Sequence, residues 1–363
     1  MDHRRVRALA GSILSISLIV GMLACAATAR EDTVPSARVS GTTPSAWVSG
    51  TTPSARVSGT TSGQAWTWGG YFRRPWNGTD TDRSVPVQVS GLTDAVAVDG
   101  GFQHSLALRS DGTVWAWGFA GQLGNGTNSD SNVPVRVSGL TDVVAIAGGG
   151  YHSLAVRSDG TVWAWGDGSA GQLGNGANSG RRSVPVRVSG LTGAMAVAAG
   201  LEHSLALRSD GTVWAWGFAQ LGNGTMDASN TPVQVIGLTD VVAVAAGQGH
   251  TLALRSDGTA WTWGNNSDGQ LGNGGNTRST VPVQVIGLTN VVALAGGLHH
   301  SLAIRSDGTV WAWGSGRAGE LGNGSDTNSN VPVRVSGLTG AVAVGAGGSD
   351  GVGYSLAIGT IAP

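Results

Sequence analysis

The stretch H-S-L-A-L-R-S-D-G-T-V-W-A-W-G, from His104 to Gly118, decides the fold of this chain because it recurs along most of the sequence. Successive copies begin with a histidine at spacings of 47 to 51 residues, and a repeat of this period marks a solenoid, a propeller or another array. The copies are His104–Gly118, His152–Gly166, His203–Gly217, His250–Gly264 and His300–Gly314.

The residue pattern inside this stretch predicts a β-hairpin. Leu106 and Leu108 alternate with smaller or polar residues, a period of two that is typical of a strand. The Asp-Gly pair that follows predicts a tight turn, because glycine reaches positive φ without steric cost. On the return strand Trp115 and Trp117 share one face while small apolar residues occupy the other, so we expect both faces to be covered.

Each unit adds two further strands to this hairpin. A strand of small residues such as Val143–Ala147 precedes it, and a strand of the type V-P-V-R-V, such as Val133–Val137, follows after a loop. Four strands at this period predict an all-β protein, a β-propeller of four-stranded antiparallel blades. The small residues suit the crowded axis, whereas the proline cannot donate to a ladder and therefore places its strand at the outer edge.

The number of blades follows from counting strands. The repeats begin in the middle of a unit at Trp66–Gly69 and end in the middle of a unit at Tyr354–Ile358, which gives six blades. Seven blades, the alternative, would need residues 30–63 to supply most of a blade. We expect the C-terminal half-unit to pair with the N-terminal half-unit and close the ring, because closure removes unpaired strand edges.

The chain divides into three segments: residues 1–29 as an export signal, 30–63 as a low-complexity linker of Pro, Ser, Thr and Gly, and 64–363 as the propeller. Two processing routes stay open. Ala27-Thr28-Ala29 fits ordinary secretory cleavage, whereas Met22-Leu23-Ala24-Cys25 resembles a bacterial lipoprotein box with Cys25 as the lipidated residue. A retained membrane helix is a third alternative, although the apolar run is barely long enough. The chain is therefore expected to be secreted, periplasmic or lipid-anchored at the cell envelope.

The charge balance limits the classes of partner. The formal net charge of the 363 residues is −1, so there is no basic patch of the kind that binds nucleic acid or an anionic membrane. We expect membrane contact only through a lipid on Cys25, and a monomeric propeller. Because Cys25 is the only cysteine, an intrachain disulfide and a cysteine nucleophile are both excluded.

The pattern G-x-x-H-S-L-A-L-x-x-x-G-x-V-W-x-W-G-x-x-x-x-G-Q-L-G, which Gly101–Gly124 fits except for a loop that is two residues shorter, resembles the regulator of chromosome condensation repeat family across about residues 64–358. The resemblance implies a β-propeller, although the founders of the family have seven blades. The eukaryotic founder is a guanine-nucleotide exchange factor for a small nuclear GTPase, but no stretch here matches its exchange wedge. Exported bacterial relatives include β-lactamase-inhibitory propellers, which bind a partner protein with loop aromatics and acids on one face, and that comparison suits the leader better.

The repeated histidines and aspartates are predicted to be structural. Equivalent histidines of a propeller lie on the order of 10 Å apart, too far to share a metal ion at about 2 Å, so each imidazole is expected to satisfy backbone groups between strands. The Asp of each Ser-Asp-Gly turn is expected to cap its own backbone. Thr79–Asp82 and Asn128–Asp130 resemble fragments of calcium loops but lack the full ligand set. We therefore expect no catalytic, metal or cofactor site.

Function is expected where the units differ, in the loop that follows each tryptophan strand. In the first loop an aromatic and arginine-rich run replaces G-Q-L-G, and such a composition is typical of binding hot spots. The alternative is a degenerate closing blade whose aromatics fill a packing gap. The candidate partner-binding residues are Tyr71, Phe72, Arg73, Arg74 and Trp76 in this loop, with Arg181, Arg182 and Arg278 as weaker candidates.

The sequence therefore predicts an exported, non-enzymatic β-propeller that serves as a protein–protein interaction scaffold for a protein or cell-surface partner. Two alternatives remain: a regulator resembling a guanine-nucleotide exchange factor, and a carbohydrate-binding or hydrolytic propeller. The G-Q-L-G-N-G loops are not expected to cradle phosphate, because they lack the Lys-Ser/Thr pair and the following helix.

Overall fold

The computed structural model describes residues 46–47, 55–56, 63–69, 83–178, 180–218, 220–349 and 352–361. This part of the chain consists of strands, turns and loops, and it contains no helix of the length and apolar character needed to span a bilayer. The export signal with Cys25 and the loop candidates Tyr71–Trp76 lie outside the described residues.

Five complete blades form the body of the molecule, and each is an antiparallel sheet of four strands in chain order. We call these strands inner, histidine, tryptophan and outer. In that order they are Ala95–Gly100, His104–Arg109, Val114–Gly118 and Ser131–Arg136 in blade 1; Val143–Gly148, His152–Arg157, Val162–Gly166 and Arg182–Arg187 in blade 2; Ala194–Ala199, His203–Arg208, Val213–Gly217 and Ser229–Gln234 in blade 3; Val241–Ala246, His250–Arg255, Ala260–Gly264 and Ser279–Gln284 in blade 4; and Val291–Gly296, His300–Arg305, Val310–Gly314 and Ser329–Arg334 in blade 5.

The predicted hairpin is present in every blade. In blade 1 Asp111 Oδ1 accepts the backbone N–H of Thr113 at 2.9 Å and its hydroxyl at 2.6 Å, while Gly112 has φ of 76°. The same Thr113 hydroxyl oxygen accepts the indole N–H of Trp115 at 3.2 Å. The aspartate therefore caps the turn as predicted, and the Thr113 bonds, above all the hydroxyl, lower its pKa.

The predicted order of the strands from the axis outward is also confirmed. The inner strands of neighbouring blades lie against one another, whereas the outer strands form free edges of their sheets. The outer-strand arginines Arg136, Arg187 and Arg334 are exposed. Small residues are favoured near the axis because five sheets converge there.

The core is divided into layers between adjacent blades. Trp216 of blade 3 is completely buried among Val162, Ala164 and Leu173 of blade 2. Each tryptophan pair thus fills the gap toward the preceding blade, while the Val-x-Ala face of the same strand meets the following blade. The leucine of the G-Q-L-G loop plugs between blades, as predicted for Leu123, which is fully buried with the tryptophans of blade 2.

The sixth unit is present as two pieces that are not joined. Ala65–Gly69 pairs in parallel with Ala46–Trp47 on one side and antiparallel with Arg83–Gln88 on the other. At the other end, Leu338–Ser349 and Val352–Ile361 pair with each other as a two-stranded sheet, here called the tail hairpin. Pairing of the tail hairpin with Ala65–Gly69 is not found among these described strands, where Ala46–Trp47 pairs along the edge that the tail would need, so closure of the ring stays a prediction.

The tail hairpin exposes apolar side chains whose equivalents are buried in the complete blades. Leu356 and Ile358 of the tail hairpin are 44% and 56% exposed, whereas their equivalents Leu154 and Val156 in blade 2 are fully buried. A second short strand of the predicted linker, Ala55–Arg56, pairs with the inner strand of blade 1 and makes it a five-stranded sheet. The boundaries predicted for the export signal and the linker remain predictions.

Candidate functional site

A set of hydrogen bonds that joins each blade to the next accounts for most of the repeated motif. His152 Nε2 lies 2.8 Å from Ser204 Oγ of blade 3, and that hydroxyl donates to the main-chain carbonyl of Gln172 at 2.8 Å. Trp216 Nε1 donates to the same Gln172 carbonyl at 2.9 Å. We call this arrangement the histidine clasp. The histidine and the G-Q-L-G loop belong to one blade, and the serine and the tryptophan belong to the next blade.

The histidine–hydroxyl bond of the clasp repeats at every junction between complete blades and reaches the tail hairpin, whereas the tryptophan bond is missing between blades 3 and 4, where Trp263 Nε1 has no partner among the described residues. Ser355 Oγ lies 3.0 Å from His300 Nε2 and donates to the Glu320 carbonyl at 2.7 Å. The tail hairpin therefore docks on blade 5 as the inner half of a blade. The histidine–hydroxyl pairs are His104–Ser153, His152–Ser204, His203–Thr251, His250–Ser301 and His300–Ser355.

Each clasp histidine is a buried neutral base. Because the serine hydroxyl donates to a carbonyl, its oxygen accepts from the imidazole, which must carry its proton on Nε2. Nδ1 of His152 is buried without a hydrogen-bond partner, and burial lowers the pKa of His152 to about 3. The predicted partner of these histidines was a backbone group; the structure shows a side-chain hydroxyl of the next blade instead. The prediction that they are structural agrees with this geometry.

The repeated histidines, hydroxyls and tryptophans thus join the blades to one another. We therefore look for a partner-binding site at the positions where the blades differ. The connection from inner to histidine strand and the connection from tryptophan to outer strand meet at the same end of each antiparallel sheet. We call this end of the molecule the loop face. The Ser-Asp-Gly turns occupy the opposite end.

Two variable positions lie side by side on the loop face of every blade. The residue before each clasp histidine accepts, through its carbonyl, the backbone N–H of the residue that follows each tryptophan strand. We call these neighbours rim pairs. They are Gln103–Phe119 at 2.9 Å, Tyr151–Asp167 at 2.9 Å, Glu202–Phe218 at 2.8 Å, Gly249–Asn265 at 2.8 Å and His299–Ser315 at 2.8 Å. Their residue types differ from blade to blade while their backbone geometry is constant.

Aromatic residues of the rim are concentrated on blades 1 to 3. Phe119 is 36% exposed and Phe218 is 57% exposed. Tyr151 packs edge-to-face on Phe102 of the neighbouring blade, with the ring centroids 5.9 Å apart. We call Phe102, Phe119, Tyr151 and Phe218 the aromatic patch. Blades 4 and 5 present only Gly249, Asn265, His299 and Ser315 at the rim.

A shallow recess opens at the centre of the loop face. Phe102, Leu201 and Leu298 form its apolar wall. Backbone bonds between blades brace the wall, such as Gly150 N–H to Gly200 O at 2.9 Å and Leu201 N–H to Gln248 O at 3.0 Å. The recess is therefore preformed, and it lies directly beside the aromatic patch.

Acidic groups accompany the patch. Glu202 is half-buried in the rim, and Asp167 accepts the backbone N–H and the hydroxyl of Ser169 at 3.1 and 2.9 Å. Asp99 differs from both, because it is buried in the inner strand of blade 1, where the other complete blades have alanine. Its Oδ2 accepts the N–H of Gly148 at 2.9 Å, and burial raises its pKa to about 8. Asp99 is thus a neutral structural acid at neutral pH.

The predicted site residues that the structure describes lie at the periphery of this face. Arg181, Arg182 and Arg278 are exposed just before or at the start of the outer strands of blades 2 and 4. The Arg181 side chain passes over Gly121 of the preceding blade. They are available for contact, but the rim pairs are more central. The described residues contain no group of three or more His, Cys, Asp or Glu arranged to hold a metal ion.

The fold and the repeated clasps define this chain as a β-propeller assembled from copies of one blade. The sequence model of the RCC1-like domain matches residues 23–352. Since that match spans most of the chain, the chain belongs to the RCC1-like domain family, and the resemblance seen in the repeat motif is confirmed.

Solved structures of the family have the same fold. Prp20p from Saccharomyces cerevisiae gives a TM-score of 0.70 at 23% identity, over 82% of this chain and 78% of that chain. Human WBSCR16 gives 0.69 at 27% identity, over 80% of both chains. Yeast RCC1 (Prp20) in its complex with Kap60 gives 0.57 at 20% identity, over 92% of this chain and 97% of that chain. Prp20p binds Gsp1p and histones, so protein partners are recorded for this relative.

Proposed function

We propose that this chain is an exported, non-enzymatic propeller that binds a protein partner through its loop face. The main support for the proposal is that the blades share the histidine–hydroxyl bonds but carry different residues at the rim pairs. A scaffold that keeps its geometry constant while changing the residues it presents is suited to recognition.

The aromatic patch is the proposed centre of the contact. Phe119 and Phe218 expose large apolar surfaces, and aromatic residues contribute a disproportionate share of binding energy in protein interfaces. The shallow recess beside them is lined mostly by apolar residues and braced by backbone hydrogen bonds, so it adds a preformed apolar surface to the contact. Glu202 and Asp167 favour a partner surface that combines apolar and basic residues.

The test compares two double variants of equal chemical severity. F119S/F218S removes the exposed rings of the patch, whereas I236S/I286S removes two side chains that are 47% and 51% exposed on outer-strand connections away from the rim. Partners are captured by cross-linking to the mature protein, identified by mass spectrometry and titrated in purified form. We expect F119S/F218S to weaken affinity at least about tenfold, the scale of a binding hot spot, and I236S/I286S to leave it unchanged.

Equal affinities of the two variants would remove the aromatic patch from the interface. In that case the loop Tyr71–Trp76 and the arginines Arg181, Arg182 and Arg278 become the next residues to replace with alanine. Binding to a glycan array without a protein partner would instead support the carbohydrate-binding alternative. Accelerated nucleotide release from a small GTPase would support the exchange-factor alternative.

Export is part of the same proposal and is tested separately. The mass of the mature N-terminus distinguishes cleavage after Ala29 from lipidation of Cys25. A mature chain that begins at Met1 would contradict export by either route.

A further inference from the structure

An Asn-Gly pair follows the tryptophan strand in each complete blade. The glycines have φ of 87°, 83°, 89°, 80° and 85° along the chain, and each asparagine Oδ1 accepts the N–H two residues further on. The five pairs thus have the same local conformation, and differences in reactivity must come from their surroundings. The pairs are Asn125-Gly126, Asn175-Gly176, Asn223-Gly224, Asn273-Gly274 and Asn323-Gly324.

Four of the five glycine N–H groups are bonded to the outer strand of the next blade. The acceptors are the carbonyls of Ser183, Asn230, Thr280 and Asn330, at 2.8, 2.9, 3.0 and 2.9 Å. Each acceptor lies two residues before the proline of its outer strand. Gly324 lies in the corresponding loop of blade 5, and its N–H has no hydrogen-bond partner among the described residues. By the same rule the acceptor would be the carbonyl of Ser84, which belongs to the N-terminal sheet.

Exposure is the same at all five pairs. Each glycine is exposed and each asparagine is half-buried. Among the described residues, Gly324 therefore differs from the other four glycines in the missing hydrogen bond of its N–H, and not in its access to water.

The chemistry of this pair needs only water as a co-reactant. The glycine nitrogen loses its proton and attacks Cγ of the asparagine side chain, forming an N–Cγ bond. The Cγ–Nδ2 bond breaks, and Nδ2 takes up a proton and leaves as ammonia. Water then adds to either carbonyl of the five-membered succinimide and opens it to aspartate or isoaspartate. A glycine N–H that is held in a hydrogen bond must be released before the first step.

We propose that Asn323 is a site of spontaneous deamidation in the native protein and that the four other pairs are protected by their bonds to the next blade. The modification converts a neutral amide to a carboxylate, and isoaspartate also lengthens the main chain by one carbon. The inference is independent of the proposed partner.

The test is a peptide map of the full chain after incubation at mildly alkaline pH. Cleavage after arginine places the five pairs on five different peptides, so that each conversion is read separately. We expect Asn323 to convert at about the rate it has in the denatured chain. The other four should convert at least about tenfold more slowly than in the denatured chain, because a hydrogen bond has to open first. The variant N323S identifies the acidic species that arises from this residue.

Two outcomes would overturn the proposal. Protection of Asn323 equal to that of the other pairs would mean that its glycine N–H is bonded in solution, as it would be if Arg83–Gln88 docked on blade 5. Rapid conversion of all five pairs in the native chain would mean that the hydrogen bonds from the glycine N–H groups to the next blade do not protect the asparagines from deamidation.

Discussion

An imidazole ring occupies the space where a side chain would be on each glycine three residues before a clasp histidine. A Cβ atom built on Gly200 would lie 2.1 Å from His203 Cε1 and 2.7 Å from the Gly247 carbonyl oxygen. The first contact prevents the histidine from reaching its hydroxyl partner, and the second is against main chain that cannot move aside. Glycine is therefore required at this position by packing.

We predict that Gly200→Ala lowers the free energy of unfolding by about 1–3 kcal/mol, the cost of overpacking a filled core. Gly180→Ala is the matched control, because a Cβ atom there meets nothing within 4 Å, and it should change stability by less than about 0.5 kcal/mol. Urea titrations of the two variants and the parent provide the measurement. Equal stabilities of the two variants would contradict this account of the glycine.

At the scale of the element, the loop after the tryptophan strand of blade 3 is the weakest copy. It lacks the first glycine of the G-Q-L-G motif, and Gln220 has φ of 62°, a left-handed conformation that this glycine supplies in the complete loops. Gln220 Oε1 is buried without a partner. Trp263 Nε1 is also unpaired among the described residues, whereas Trp216 donates to a loop carbonyl.

We predict that Gln220→Gly raises the free energy of unfolding by about 1 kcal/mol, because it relieves left-handed strain and removes a buried unpaired oxygen. Gln172→Gly in the complete loop of blade 2 should do the opposite, since it deletes the amide oxygen that accepts the Ala170 N–H at 2.9 Å. Calorimetric unfolding of both variants tests the pair. A loss of stability in both would show that the short loop is not strained.

The elements also show what the sequence can and cannot predict. The hairpin, its Asp-Gly turn and the strand order are predictable because each is local and is repeated. The rim pairs were missed, since Gln103 and Phe119 are far apart in sequence and only the antiparallel register makes them neighbours. Closure stays a prediction from complementary half-units, and periodicity does not show that Ala46–Trp47 pairs along the edge that closure would need.

At the scale of the whole molecule, five buried neutral histidines make the propeller sensitive to acid. Burial lowers their pKa from 6.5 to about 4, 3, 4, 3 and 4 along the chain, and protonation would place a charge on an Nδ1 that mostly has no acceptor. The unfolded chain therefore binds protons at a higher pH than the folded chain. Stability is fully present above about pH 6.5 and is lost as the pH falls toward 4.

We predict that the free energy of unfolding decreases below about pH 6.5 by up to about 1.4 kcal/mol per pH unit for each histidine. Asp99 has the opposite effect. Its pKa is about 8 in the folded chain against an ordinary value of 3.8, so between these pH values the folded chain holds one proton more at this residue and folding becomes less favourable as the pH rises. Urea titrations between about pH 7 and pH 5 measure the slope. His152→Gln, which keeps a donor for Ser204 without a titratable group, should reduce the slope by about one proton. An unchanged slope would contradict the assignment.

The clasp has a direction, because each complete blade offers its histidine to a hydroxyl of the structure that follows it along the chain. An array of blades joined in this way has two unlike ends, one that offers a histidine and one that offers a hydroxyl. Two copies could not meet through identical surfaces at these ends, so their association would be polar, head to tail. Such stacking either returns on itself as a ring or continues as a filament.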